Sequence, residues 1–433
     1  MVGLSLVAIF LGWLALAAIA VNFYPRFASL DATSRGVWTT LFIIVFAAAS
    51  IIPPLGFKRF VPRGWMRWLY LATVSAPAVL WVPAISVISD VLHDDPLVHG
   101  SPSIEEISPA LPGDEISYAV LLRYAKHSPA ADAFAPPVFV IKSTEDLSKN
   151  PEAWAQFTRE HRAEIEAGWA ALAPVRAWFD ELNRFDRIGD LGRPEPRSPI
   201  MDFKPVRAYT RYAVAIASLR ALDGQGDEAM AIIGTLYDVA RKWEPTSRSI
   251  VNLFIAKVGQ QAAINAANFV LDHATVSAAS RTALTASLQL AEHGPAGARR
   301  VVMIDCPFAR ANFGPQLRSA KKTLPFAQAI LADLNYKPRA TENLIIDRFE
   351  RLASLAEARR LEKFKATEDK ISDDHNDPLL MNNFLGHAFA KAMLPALLKP
   401  VTTYWEIEDL RAALLHRLQP SAQVVPDSAR LKK

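Results

Sequence analysis

The stretch that decides the fold of the larger part of the chain is PVRAYTRYAVAIASLRALDGQGDEAMAIIGTLYDVARKW, residues 205–243. It predicts one helix from Pro205 to Leu222 and a second that ends at Trp243, just before Pro245. Between them lies a turn of polar and glycine residues, DGQGD at 223–227. Two helices joined by so short a turn must lie antiparallel, so we predict an αα-hairpin.

This hairpin resembles one tetratricopeptide unit. Gly224 and Ala229 keep a five-residue step at the turn, and Pro245 follows the second helix. The resemblance covers roughly 40 residues and does not recur at the family's period of about 34 residues. It therefore implies an irregular stack of helical hairpins and is too local to indicate a family.

Helical patterns continue on both sides of the hairpin. Asn150 and Pro151 are typical of a helix start, and apolar residues from Trp154 to Leu172 follow at three- and four-residue steps, with a bend or break expected near Pro174. A single strand is possible only at 138–141. Further helices are predicted at about 114–127, 246–273, 277–293, 341–370, 378–398 and 401–418.

The amino-terminal quarter predicts membrane-spanning helices. Residues 1–25, 36–57 and 68–89 contain no charged side chain. A helix needs about 20 apolar residues to cross a bilayer, so spans are predicted at about 4–24, 37–57 and 68–90. Ala18-Ile19-Ala20 resembles a signal-peptide cleavage site, which leaves cleavage of the first segment open, although that segment lacks a basic amino-terminal region.

Charge asymmetry predicts the orientation. The loop from Lys58 to Arg67 carries four positive charges, whereas the loop from Arg26 to Arg35 carries two positive charges and one acid. The positive-inside rule puts the second loop in the cytoplasm. We therefore expect a multi-pass protein of a bacterial inner membrane, with a cytoplasmic amino terminus and an extracytoplasmic carboxyl-terminal domain.

The predicted organisation is all-α, with three transmembrane helices followed by a helical-hairpin domain. Residues 1–92 form the membrane domain and contact the lipid bilayer. Residues 93–140 form a Pro-rich tether, extended at 93–113, with short elements, 141–420 the helical domain, and 421–433 a disordered tail.

Composition excludes some classes of function. Residues 1–92 hold six Lys or Arg and two acids, which leaves 42 basic and 42 acidic residues in the remainder. A neutral domain argues against nucleic-acid binding. Cys306 is the single cysteine, so an intrachain disulfide framework is excluded, and a buried inert thiol is the preferred interpretation.

Two clusters are candidates for a divalent metal. His161 and Glu164 lie one helical turn apart, although His161 also fits a core or boundary position on the apolar stripe. Asp373, Asp374, His375 and Asp377 share one loop, in which Asp377 also suits a helix cap. No cofactor is predicted, because nucleotide-binding glycine motifs and compact catalytic motifs are absent from the sequence.

Two classes of function follow. The first is an interaction or scaffold module of the cell envelope, in which stacked hairpins present a surface to a protein partner. The second is an envelope enzyme with a site assembled from scattered residues, with the metal candidates as its centre. The sequence favours the first class and identifies no catalytic residue.

Overall fold

A computed structural model describes residues 96–97, 100, 102–137, 145–192, 201–290, 294–310, 337–373 and 396–419. In these ranges the chain is predominantly helical, and the pairing of extended backbone is limited to one antiparallel bridge between Ala125 and Met201. The all-α prediction is confirmed for this part of the chain. The predicted strand at 138–141 and the predicted tail at 421–433 lie outside it.

The α-helices are short before residue 200 and longer after it. Two 3₁₀ turns, Leu122–Tyr124 and Glu244–Thr246, extend helices at their carboxyl ends. The α-helices are α1 Ile104–Ile107, α2 Asp114–Leu121, α3 Pro129–Ala133, α4 Glu145–Lys149, α5 Pro151–Glu160, α6 Arg162–Ala171, α7 Ala173–Asn183, α8 Lys204–Leu222, α9 Gly226–Trp243, α10 Ile250–His273, α11 Ala278–Gln289, α12 Pro295–Met303, α13 Pro338–Glu357, α14 Leu361–Asp373 and α15 Leu398–Leu418.

Each helix in the described ranges is too short or too polar to span a bilayer. The three predicted membrane segments, within residues 1–92, fall outside those ranges.

The predicted hairpin is confirmed as α8 and α9. Gly224 ends the first helix with a φ of +79°, a conformation that favours glycine. At Gly226 a Cβ atom would lie 2.3 Å from the carbonyl oxygen of Thr275, so the turn packs directly on the α10–α11 loop. Helix α8 is internal, since it packs against α5, α6, α9 and α10 and most of its side chains are buried.

Two long predicted helices are interrupted. The helix expected from Pro151 breaks near Pro174, as predicted, and also at His161, which separates α5 from α6. The helix expected over 341–370 is divided into α13 and α14 at Arg359, which has a φ of +52°. There Arg359 N donates to Ala356 O and Arg360 N to Leu355 O, which closes the end of α13. Helix α12 was not predicted.

Two apolar clusters form the core. The larger one is built mainly from α5 to α9 and α11, and the smaller one mainly from α12, α13 and the start of α14. Helices α10 and α15 run through both clusters: Leu253 belongs to the smaller and Ala256 to the larger, and likewise Trp405 and Ile407. These two helices therefore join the two clusters.

Residues 96–116 differ from the extended tether that the sequence predicts for 93–113. Ile104 of α1 is buried in the smaller core cluster. Ser108 Oγ donates to Thr246 O at 2.7 Å, and Asn343 Nδ2 donates to Pro96 O at 2.9 Å. We call the described residues between 96 and 116 the docked segment. It folds against the domain because its apolar residues and polar backbone groups find partners there.

Candidate functional site

The largest concentration of buried charge lies between the two core clusters. The side chain of Lys257, on α10, is 2% exposed, and its Nζ lies 3.0 Å from Glu244 Oε1 and 3.4 Å from Glu408 Oε1. Gln260 Nε2 donates to Glu244 Oε2 at 2.6 Å, and Arg411 Nε donates to Glu408 Oε2 at 3.1 Å. Two cations thus face two carboxylates.

This buried cluster has a structural role. Lys257 Nζ also lies 4.4 Å from the centre of the Tyr404 ring, which closes the site on another side. Each charge has an opposite charge within hydrogen-bonding or ion-pair distance, as buried charges require. Since Lys257 and Glu408 lie where α10 and α15 pass from one core cluster to the other, the cluster fixes how these two helices pack.

Lys257 is absent from the residues predicted from the sequence, although the sequence contains a signal for its burial. It is the only charged residue between positions 250 and 271, in a helix that is otherwise apolar or neutral. A lone lysine in such a helix predicts an internal partner. Glu244 and Glu408 lie far away in sequence, so their identity as partners required the fold.

The predicted metal candidates are brought together only in part. His161 Nδ1 lies 3.7 Å from Glu164 Oε1, and both side chains are at least a third exposed. His161 also packs on the Phe157 ring, which suits a boundary position. Within the described ranges, no three His, Cys, Asp or Glu residues form a metal-binding group. Asp373 ends α14, and Asp374, His375 and Asp377 lie outside these ranges.

Cys306 is fully buried, as predicted, and burial raises the pKa of its thiol to about 12. A thiol with that pKa is neutral at pH 7 and a poor nucleophile. Its neighbour Asp305 is more informative. Burial raises the pKa of the Asp305 carboxyl to about 6, even though its Oδ1 accepts a hydrogen bond of 3.2 Å from Ile250 N at the start of α10.

Two exposed apolar residues are close to Asp305 along the chain or through its hydrogen bond. Phe308, one helical turn later, is 41% exposed, and Val251, next to the residue that bonds Asp305, is 52% exposed. We call Val251, Asp305 and Phe308 the Asp305 patch. It combines an apolar surface with a half-buried carboxyl group, which suits a partner that is apolar and donates a hydrogen bond or a positive charge.

The docked segment continues this surface. Gly189 N donates to Ser117 Oγ at 2.8 Å, and the next residue, Asp190, accepts hydrogen bonds from Arg248 N and from Asn252 Nδ2. These bonds connect α2 with the start of α10. Six large apolar residues in the described ranges are more than 40% exposed. They are Leu97, Leu111 and Ile116 on the docked segment, Val251 and Phe308 in the patch, and Leu290 elsewhere.

An internal cavity of about 20 Å³ lies between α7, α8, α9 and α10. Its walls are almost entirely apolar and include Trp178, Phe179 and Trp243. That volume holds about one water molecule. The cavity is therefore a packing defect and does not resemble an active site.

No protein-family model, curated protein or solved structure matches the chain.

Proposed function

We propose that the protein is a membrane-anchored interaction module of the cell envelope, with the Asp305 patch as its recognition site for a protein partner. Residues 1–92 would provide the anchor and the helical domain the recognition surface. The observation that carries the proposal is a half-buried carboxyl, that of Asp305, which lies three residues before the exposed Phe308 and accepts a hydrogen bond from the residue before the exposed Val251.

The chemistry of the patch supports a particular kind of partner. Burial disfavours the ionised form of the Asp305 carboxyl. A Lys or Arg side chain placed over Asp305 would stabilise that ionised form with its positive charge. Apolar neighbours of that basic residue would cover Val251 and Phe308. A basic and apolar segment of a protein fits both requirements, whereas nucleic acid fits neither.

The interior of the domain offers less support for a binding groove. Helix α8 is enclosed by other helices, and the Lys257 cluster is buried with its charges paired. Neither presents the extended surface that stacked hairpins commonly use for recognition. The patch at the start of α10 lies at the surface.

In-cell photocrosslinking tests the proposal. A photoreactive phenylalanine analogue at position 308 should give one reproducible crosslinked protein, and the variant Asp305→Asn should reduce that product at least severalfold, since Asn keeps the size but loses the charge. The same analogue at Leu290, an even more exposed apolar position just after α11, is the control. Equal crosslinking from both positions, or no effect of Asp305→Asn, would contradict the assignment.

The enzyme alternative is kept as a separate hypothesis. It rests on the short distance between His161 and Glu164 and on the acidic residues at 373–377. Metal analysis of the purified full chain tests it, because a stoichiometric divalent metal lost in a His161→Ala variant would favour an enzyme.

A further inference from the structure

The position of the docked segment limits how far the domain can stand from a membrane. The limit follows from the membrane anchor that the proposed function includes. The last predicted span ends near Asp90, and Pro96 O is already bonded to Asn343 Nδ2 of α13. Six residue steps reach at most about 20 Å. Pro96, at the start of the docked segment, must therefore lie within about 20 Å of the end of that span.

Hydrogen bonds hold the docked segment on the domain at several points. Arg248 Nη2 donates to Ser108 O at 3.1 Å, and Arg300 Nη2 lies 3.4 Å from Ser108 Oγ. Farther along, Arg187 Nη2 donates to Pro109 O at 2.5 Å. With these anchors the segment is part of the domain surface, so the domain has a preferred orientation on its anchor.

The outward side of the docked segment is apolar at spaced positions. Leu97 and Leu111 are each 48% exposed, and Ile116 is 61% exposed. Apolar side chains at the level of lipid headgroups bury their surface in the boundary between headgroups and acyl chains. A free tether in water would gain nothing from these residues.

Of the four carboxylates on the described part of the segment, those of Glu105 and Asp114 each have an arginine partner elsewhere in the domain. Arg248 Nη1 lies 3.6 Å from Glu105 Oε1, and Arg187 Nε lies 3.4 Å from Asp114 Oδ2. The Glu106 carboxylate accepts a hydrogen bond from Ser103 N in a capping box. Exposed lysines, which would favour anionic lipids, are absent from the described part of the segment. A zwitterionic surface is the better match.

We propose that the docked segment rests on the surface of the bilayer, with Leu111 and Ile116 in contact with zwitterionic lipid. The opposite end of the domain, at the turn that holds Gln225, then points away from the membrane. Helix α10 has 24 residues and separates the two ends by about 36 Å.

Fluorescence quenching on the full chain tests this orientation. The introduced cysteines of Leu111→Cys and Ile116→Cys, each labelled with an environment-sensitive fluorophore, are compared with that of Gln225→Cys in phosphatidylcholine vesicles that carry a nitroxide on the lipid headgroup. Cys306 is buried, so unsubstituted protein reports the background labelling. We expect at least twofold stronger quenching at 111 and 116 than at 225.

Equal quenching at all three positions, in protein that stays with the vesicles after alkaline extraction, would overturn the orientation and leave the anchor intact. Release of the protein by alkaline extraction would instead overturn the membrane anchor, and with it the proposed function. The purified vesicles contain no partner protein, so strong quenching at 111 and 116 must come from lipid.

Discussion

Lys257 is 1% exposed and lies between two carboxylates, so its side chain is more sensitive to substitution than any surface cation. In Lys257→Met the carboxylates of Glu244 and Glu408 stay buried with only Arg411 to balance them. We expect a loss of about 3 to 5 kcal/mol in the free energy of unfolding. Denaturant unfolding of the full chain in detergent, followed by tryptophan fluorescence, measures it.

Arg417→Met on α15 is the matched control. Arg417 Nη2 lies 2.6 Å from Asp272 Oδ1, but both side chains are at least 40% exposed. An exposed ion pair contributes at most about 1 kcal/mol. Similar losses in the two variants would show that the Lys257 cluster is not the buried structural link described above.

Gly297 is a second residue at which the fold permits little change. A Cβ atom there would lie 2.1 Å from the Tyr404 hydroxyl oxygen, which donates to Gly294 O. Gly297→Ala should therefore destabilise the protein by about 1 to 3 kcal/mol through overpacking. Gly234→Ala, in the interior of α9 with open space around it, should stabilise by up to about 1 kcal/mol. Melting temperatures that move in the same direction would contradict this packing.

Asp305 predicts a pH effect with a defined sign. Its pKa is about 6 in the folded protein and near 3.8 when exposed to water. Between those values the folded state holds the proton more tightly, so the contribution of Asp305 to stability falls as pH rises from about 4 to 6 and is then constant.

Asp305→Asn removes the loss of stability that ionisation of Asp305 causes, and it keeps an oxygen for the hydrogen bond from Ile250 N. At pH 7 the variant should exceed the original chain in stability by about 1 to 2 kcal/mol, allowing for partial solvent exposure. The difference should vanish near pH 4. A difference that is independent of pH would refute the assignment. Melting temperatures of both proteins across this range give the comparison.

At the level of elements, the sequence predicts helices better than their interruptions. The hairpin α8–α9 was predicted within two residues at each end, since Pro205, the DGQGD turn and Pro245 are strong local signals. The break at Arg359 has no such signal, because the residue with positive φ is neither Gly nor Asn. Contacts with α15 help to stabilise the backbone conformation of Arg359, because Arg359 Nη1 donates to Asp409 Oδ1 at 3.0 Å.

The docked segment was predicted as an extended tether because its prolines and acids lack periodicity. Its burial depends on contacts with residues more than 100 positions away, such as that of Ser108 with Thr246 and that of Pro96 with Asn343. Local sequence carries no information on those partners. Ile104, however, follows an N-capping Ser103 and has Ile107 one helical turn later, which was a usable sign of a short buried helix.

Ile104→Ser should release α1 from the smaller core cluster. We expect amide hydrogen exchange at residues 102–110 to rise at least tenfold, with little change in α8 and α9, because the loss is local. Leu111→Ser, at an exposed position on the same segment, is the control and should leave that exchange unchanged. Uniform exchange changes along the chain would contradict independent docking of the segment.

At the scale of the whole molecule, the sequence predicted the helical class of the described ranges but not the candidate site. The Asp305 patch combines residues that are far apart in the chain. One hydrogen bond, from Ile250 N to Asp305, brings the start of α10 next to Asp305. The two functional classes stay separate hypotheses, and both assume that residues 1–92 anchor the protein in a membrane.

That assumption, with its orientation, is the central claim, and alkaline phosphatase fusions in a bacterial host test it most directly. Alkaline phosphatase is active only outside the cytoplasm. A fusion after residue 110 should be active and membrane-bound, whereas a fusion at residue 62, in the basic loop, should be inactive although equally abundant. The reverse pattern would contradict the orientation, and a fusion at 110 that fractionates without membranes would contradict the anchor.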